Sequence, residues 1–116
     1  MRPRATAIII RDNKILLVRD KGKQLFSLPG GGIKYGEPTI SACARELYEE
    51  LGLTATKVTR MRDFDYSGSL SKHKVCLVEA EGEPQITGHE LDRFIWWDMK
   101  EDIPIFSHVK EILAKL

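Results

Sequence analysis

Apolar positions along the chain follow two periods, and the change between them divides the sequence. Arg4–Arg11 is rich in β-branched residues and reads as a first strand, closed by a turn at Asp12-Asn13. A second strand follows over Lys14–Asp20, where Ile15, Leu16, Leu17 and Val18 are continuously apolar, as in a strand covered on both faces. Lys21–Gln24 is a polar turn, and Leu25–Leu28 a short strand entering a glycine loop at Pro29-Gly30-Gly31-Gly32. From Pro38 the period becomes helical: Ile40, Ala44, Leu47 and Leu51 share a face built to bury, with Cys43 at its edge. Pro38 suits the first helical position, Gly52 a left-handed C-cap, and Leu53 can fold back on the last turn.

Beyond this helix the pattern returns to strands. Thr54–Tyr66 reads as a long extended segment, and Asp63-Phe64-Asp65-Tyr66 alternates so that both rings share one face. Ser67–Lys72 is a polar hairpin loop. In His73–Glu81, Val75, Leu77 and Glu79 take one face and Cys76, Val78 and Ala80 the other. Gly82–Gly88 is a loop, and Phe94–Met99 a strand with Trp96 and Trp97 on opposite faces. Pro104 stops it, Ser107 can N-cap a closing helix, and Val109, Ile112, Leu113 and Leu116 give that helix its apolar stripe. Strands on both sides of one long helix, with a second helix at the end, indicate an α/β/α sandwich containing a mixed sheet.

Composition narrows the function more than the fold. The 116 residues are read as one domain, 42% hydrophobic and 30% charged. Eighteen basic and 17 acidic residues leave a net charge of +1, with no electrostatic footprint for a nucleic-acid polymer or an anionic membrane. No apolar run reaches the length of a membrane span and no signal peptide is evident, so a cytoplasmic location is expected. Cys43 and Cys76 have no metal-ligand spacing and read as core thiols. The three histidines are scattered and most are expected at the surface; His89 alone neighbours a candidate site residue, Glu90.

The chemistry concentrates on the helix. Glu46, Glu49 and Glu50 fall at i, i+3 and i+4, within an arc of roughly 100°. Like charges so placed repel by a few tenths of a kcal/mol, a cost that a hard divalent cation bound by carboxylate oxygens would remove. The pattern is Gly31, five residues, Glu37, seven residues, Arg45-Glu46-Leu47, then Tyr48, Glu49-Glu50, Leu51 and Gly52-Leu53. It resembles the Nudix box, with every fixed position at the right spacing over residues 31–53.

That resemblance implies an α/β/α sandwich and hydrolysis of a nucleoside diphosphate linked to another group, with Mg²⁺ or Mn²⁺. It implies metal ligation by Glu46, Glu49, Glu50 and the Gly30 carbonyl, with Gly31 close to the substrate and Gly52 closing the helix. Glu37 and Arg45 would form an ion pair that orients Glu46 or Glu49, and Arg19, near the end of the second strand, would reach phosphates. Relatives differ in the general base; Glu90 is the candidate outside the box, with Glu79 and Glu81 weaker. No proline lies between Leu53 and Pro84, which counts against the ADP-ribose pattern, and Tyr66 falls near a tyrosine position used for dinucleoside polyphosphates. Nucleoside triphosphates, oxidised ones included, rank first as substrates, and nucleotide sugars or dinucleotides second. A nucleotide-sensing module without turnover is the alternative class, and a homodimer is compatible with the resemblance.

Overall fold

The computed structural model describes residues 2–116. Eight strands and two helices follow in the order β1 (Arg4–Ile8), β2 (Ile10–Arg11), β3 (Lys14–Asp20), β4 (Gly30–Gly32), α1 (Thr39–Leu51), β5 (Thr54–Arg60), β6 (Tyr66–Ser67), β7 (Lys72–Glu81), β8 (Leu91–Trp97) and α2 (Ser107–Leu113). A mixed sheet has the order β4-β1-β7-β5, with β6 also on β7; β1 and β7 run parallel and the other pairs antiparallel. An antiparallel sheet has the order β2-β3-β8.

Period-2 alternation in β1, β3 and β7 supplies two cores at once. Ala5, Ala7, Leu16, Val18, Cys76 and Val78 face α1, which buries Ala42, Cys43, Leu47 and Leu51 against them. Ile8, Ile15, Leu17 and Val75 face α2, which buries Val109, Ile112 and Leu113. Each fully buried leucine or valine contributes about 1.5–3 kcal/mol relative to exposure. The α/β/α sandwich is therefore as expected, although its strands form two sheets. Among the described residues, no helix is long and apolar enough to cross a membrane.

Several boundaries differ from the sequence expectation, for local reasons. The first strand is two: after Ile8 the chain crosses to the other sheet through buried Ile9, whose carbonyl takes the Leu16 N–H at 3.1 Å. Leu25–Leu28 forms only isolated bridges, Ser27 to Val18 and Phe26 to Ile105. The glycines are not a loop but the strand β4, paired with Arg4–Thr6. Thr54–Tyr66 is broken by a 3₁₀ turn at Arg62–Phe64. There Asp65 carries a fork of two 2.7 Å bonds from Arg60 and accepts the Val75 N–H at 2.9 Å, a ladder bond that a straight strand would have supplied from its backbone.

The late strand begins at Leu91, not Phe94, but Trp96 and Trp97 do join opposite cores. On α1 the apolar face is rotated from expectation: Ile40 is 43% exposed, while Ala42 and Cys43 are fully buried. Pro38 is the N-cap, not the first helical residue, so α1 starts one residue later than expected. Phe106 likewise replaces Ser107 as N-cap of α2, and Leu116 lies beyond that helix, exposed. Gly52 does close α1 in the left-handed conformation, with the Gly52 N–H on Tyr48 O and the Leu53 N–H on Leu47 O.

Candidate functional site

The carboxylates of α1 stand over β4, and the glycines make that approach possible. A Cβ on Gly31 would overlap the Glu46 carboxylate, and one on Gly30 would overlap the Ala5 carbonyl oxygen. Gly31, expected beside the substrate, makes room for the Glu46 carboxylate. Arg45 then organises the cluster. It forks onto Glu37 (Nε to Oε2 2.7 Å, Nη2 to Oε1 2.9 Å) and donates to Glu46 at 2.8 Å, to Glu49 at 3.3 Å and to the Gly32 carbonyl at 3.1 Å. Hydrogen bonding from Arg45, then from the Lys34 N–H, pulls the Glu37 pKa down to about 2.

Glu50 has no such partner. Its Oε2 is buried without a hydrogen bond. Burial first, then the charges of Glu90, Glu46, Asp20 and Glu49, push its pKa up to about 7. The Glu90 charge acts on Glu50, and the Glu90 backbone carbonyl accepts the Lys21 N–H at 2.8 Å. Glu49 and Glu50 also sit in the last turn of α1, where the helix dipole disfavours negative charge and the turn itself holds no basic residue.

The donors fit a hard divalent cation: acidic oxygens from one helical turn, one of them buried and unsatisfied, beside a glycine cradle that a side chain would fill. Among the described residues, no three His, Cys, Asp or Glu side chains already stand as a metal-ligand set. Arg45 explains why, since it holds Glu46 and Glu49 turned towards itself. The Glu49 contact is the longer, and that side chain is half exposed, so it is the freer of the two to swing. The Gly30 carbonyl takes an Arg4 N–H at 3.3 Å.

A cavity of about 270 Å³ is bordered by Arg4, which donates to the Gly30 carbonyl, and by Asp20, whose charge helps raise the Glu50 pKa. Leu28, Tyr66, Phe106 and His108 give it flat apolar walls, and Arg4 and Ser71 polar edges. Tyr66 therefore lies where a substrate group could stack. Arg19 does not join it: Arg19 pairs with Asp92 at 3.0 Å and lies over the Phe26 ring. Glu79, Glu81 and His89 are exposed or on the rim of β7 and its loop.

Two histidines expected at the surface are inside. His73 is buried, shares hydrogen bonds with Thr6 Oγ1 (2.8 Å) and Ser71 Oγ (2.7 Å), and stacks on His108 at 4.1 Å between ring centroids. Burial, with nearby Arg4, lowers the His73 pKa to about 4; burial and then His73 and Arg4 lower that of His108 to about 3. Alternation already placed His73 on the Val75 and Leu77 face, which was the signal available. Nothing local marked Arg4 or Asp20 as cavity residues, because β1 and β3 meet them there only through long-range pairing.

Known proteins resemble this chain in fold and in sequence. A solved MutT NUDIX hydrolase from Burkholderia pseudomallei has this fold, with a TM-score of 0.80 at 23% identity over 99% of this chain and 97% of that one. The chain is 49% identical over 49 residues to an ADP-ribose pyrophosphatase of Methanocaldococcus jannaschii, covering 40% of this chain and 29% of that protein. It is 32% identical over 103 residues to an m7GpppN-mRNA hydrolase of Saccharomyces cerevisiae, covering 82% of this chain and 10% of that protein. The chain thus spans well under two thirds of the length of both relatives. The profile of the NUDIX domain matches residues 1–115, from the first strand through α2, and the chain belongs to that family.

Proposed function

We propose that this chain hydrolyses the pyrophosphate linkage of a nucleoside diphosphate linked to another group, with nucleoside triphosphates first among its substrates. The observation that carries this is Glu50: a carboxylate oxygen buried without a partner, under the charges of Glu90, Glu46 and Glu49, with Gly88 packed against it. Mg²⁺ or Mn²⁺, held by Glu46, Glu49, Glu50 and the Gly30 carbonyl, would supply charge neutralisation for the diphosphate and a more acidic water.

The remaining work belongs to the chain. Arg45, itself forked onto Glu37, holds Glu46 and Glu49 directly and keeps them gathered on one turn, from where a cation would draw them. Glu90, in the loop beside Glu50, takes the proton of the attacking water. Phosphoryl chemistry asks mainly for such positioning and charge placement. Arg4, at the border of the cavity and Gly30, is placed to meet a phosphate.

The cavity supports a planar, polar-edged group at the other end of the substrate, as a nucleobase is. Tyr66 and Phe106 offer faces for stacking, and serines 27, 69, 71 and 107 offer hydroxyls. Nucleotide sugars and dinucleoside polyphosphates are the second choice. Relatives named RNA pyrophosphohydrolase make RNA a substrate to include, although a net charge of +1 gives a polymer little long-range attraction. The competing class is a sensor that binds without turnover.

Phosphate and pyrophosphate release over a panel of these compounds, with Mg²⁺ and with Mn²⁺, tests the proposal. Cation-dependent turnover of one member supports it. Tight binding of a member with turnover of none favours the sensor.

A further inference from the structure

The C-terminus of α1 is completed by a distant segment of the chain. A helix leaves its last carbonyls without intrahelical partners. Here Leu51 O takes the Gln85 N–H at 2.9 Å, Glu50 O takes the Thr87 N–H at 3.1 Å, and Glu49 O takes the Thr87 hydroxyl at 2.8 Å. The Thr87 methyl lies where it would touch a Cβ placed on Gly52, so Thr87 covers the helix end with both arms of its side chain.

The next residues lead directly into the site. Gly88 faces the Glu50 carboxylate so closely that a Cβ there would stand 3.1 Å from Oε2 and 3.2 Å from Glu49 O. Two residues later Glu90 reaches the neighbourhood of Glu50, and its carbonyl is anchored on the other side by Lys21 N–H. The segment is tied at Pro84, which is buried, and is otherwise largely exposed. Hydrogen bonds tie the segment on two sides, to α1 through Gln85 and Thr87 and to Lys21 through Glu90.

We infer that Thr87 is a positioning residue: its hydroxyl, bonded to the carbonyl of Glu49, sets the Glu90 loop against the turn that carries Glu49 and Glu50. The inference rests on the reading of Glu50 and Glu90 as site carboxylates. It adds that the hydroxyl, together with the backbone bonds to Leu51 O and Glu50 O, holds this loop in register, and that Gly88 brings it into close contact with Glu50.

Thr87→Val keeps the shape and the backbone bond to Glu50 but removes the hydroxyl, and Thr87→Ser keeps the hydroxyl. Steady-state kinetics would use the panel nucleotide turned over fastest, with Mg²⁺, and hydrogen exchange would follow the amides of residues 85–90. For Thr87→Val the expected result is a kcat lower by roughly ten- to a hundredfold, KM within about twofold, and faster exchange confined to residues 87–90. Thr87→Ser restores both. Wild-type kcat in Thr87→Val, with or without a lower melting temperature, reduces Thr87 to a helix cap and overturns the inference. So does unchanged exchange, or failure of the serine to rescue. Wild-type turnover in Glu50→Gln, or none by the native protein, is the distinct result that removes the underlying reading.

Discussion

Arg45 and Glu37 form a two-bond fork, Nε to Oε2 at 2.7 Å and Nη2 to Oε1 at 2.9 Å, across the gap between the glycine strand and the carboxylate helix. The same guanidinium reaches Glu46 with its third nitrogen. A planar ion with five donors can do this; an ammonium cannot.

Arg45→Lys therefore keeps the charge and loses the geometry. Losing part of a charged hydrogen-bond network costs about 1.5–3 kcal/mol, which corresponds to a melting temperature lower by roughly 5–10 °C for a chain of this size. Turnover should fall at least about tenfold, since Glu46 and Glu49 lose their common orienting group. Calorimetry and rate measurement on the variant check both; an unaltered melting temperature would show the fork to be idle.

For Glu50 the sign of the pH dependence is opposite to that of a salt-bridged acid. Its folded pKa is about 7 against an ordinary 4.5, so between those values the folded state binds the proton and the unfolded state does not. Its contribution to stability is present below pH 4.5 and is lost as pH rises through 7. Glu50→Gln, neutral throughout, should thus gain stability over the native protein progressively from pH 4.5 to 7 in metal-free buffer. Added Mg²⁺ should narrow the gap by stabilising the native protein alone, while turnover of the variant falls by about a hundredfold or more. Parallel melting curves at several pH values decide the matter.

How much of this was legible beforehand follows from the range of the interactions. The helix, its C-cap and the carboxylate spacing are local, and periodicity placed them. The burial face of α1 is rotated because the small residues Ala42 and Cys43 pack into the core, whereas hydrophobicity alone ranks Ile40 above them. The glycine run was read as a loop because glycine disfavours strands; the pairing of Gly30–Gly32 with Arg4–Thr6 is a tertiary decision, made possible by the missing side chains. Glu50 was legible as a candidate, yet its unpartnered oxygen was not, since that depends on Gly88 and Glu90 folding back from residues 85–90. The conflicts with local rules, acids in the last helical turn and like charges adjacent, fall at the site, where such conflicts are expected.

Gly31→Ala isolates the cradle. Gly31 has no positive φ to strain, so the penalty is steric: the methyl occupies the Glu46 carboxylate position. Overpacking of this kind costs about 1–3 kcal/mol, and the displaced Glu46 loses its bond to Arg45. A Mn²⁺ titration should show weakened binding and turnover should collapse. Gly32→Ala is the control, because a Cβ there meets only the Arg2 side chain, at 3.6 Å or more. Equal behaviour of the two variants would mean that the glycine is required for the strand and not for Glu46.

The stacked histidines set the acid limit. His108 titrates at about 3 in the folded state, against the ordinary 6.5 of an exposed imidazole, so across that interval the unfolded chain binds the extra proton. Stability falls as pH drops from 6.5 towards 3, by up to about 1.4 kcal/mol per pH unit for that one proton. His73 adds to the loss from 6.5 down to about 4. His108→Phe keeps a ring between Phe106 and His73, and it strands no partner, because His108 Nε2 is buried without one. The variant should match the native protein within about 1 kcal/mol above pH 7, as volume-conserving swaps do, and lose stability less steeply in acid. Denaturant midpoints measured from pH 4 to 8 give the slope directly, and identical acid limbs for the two proteins would acquit His108.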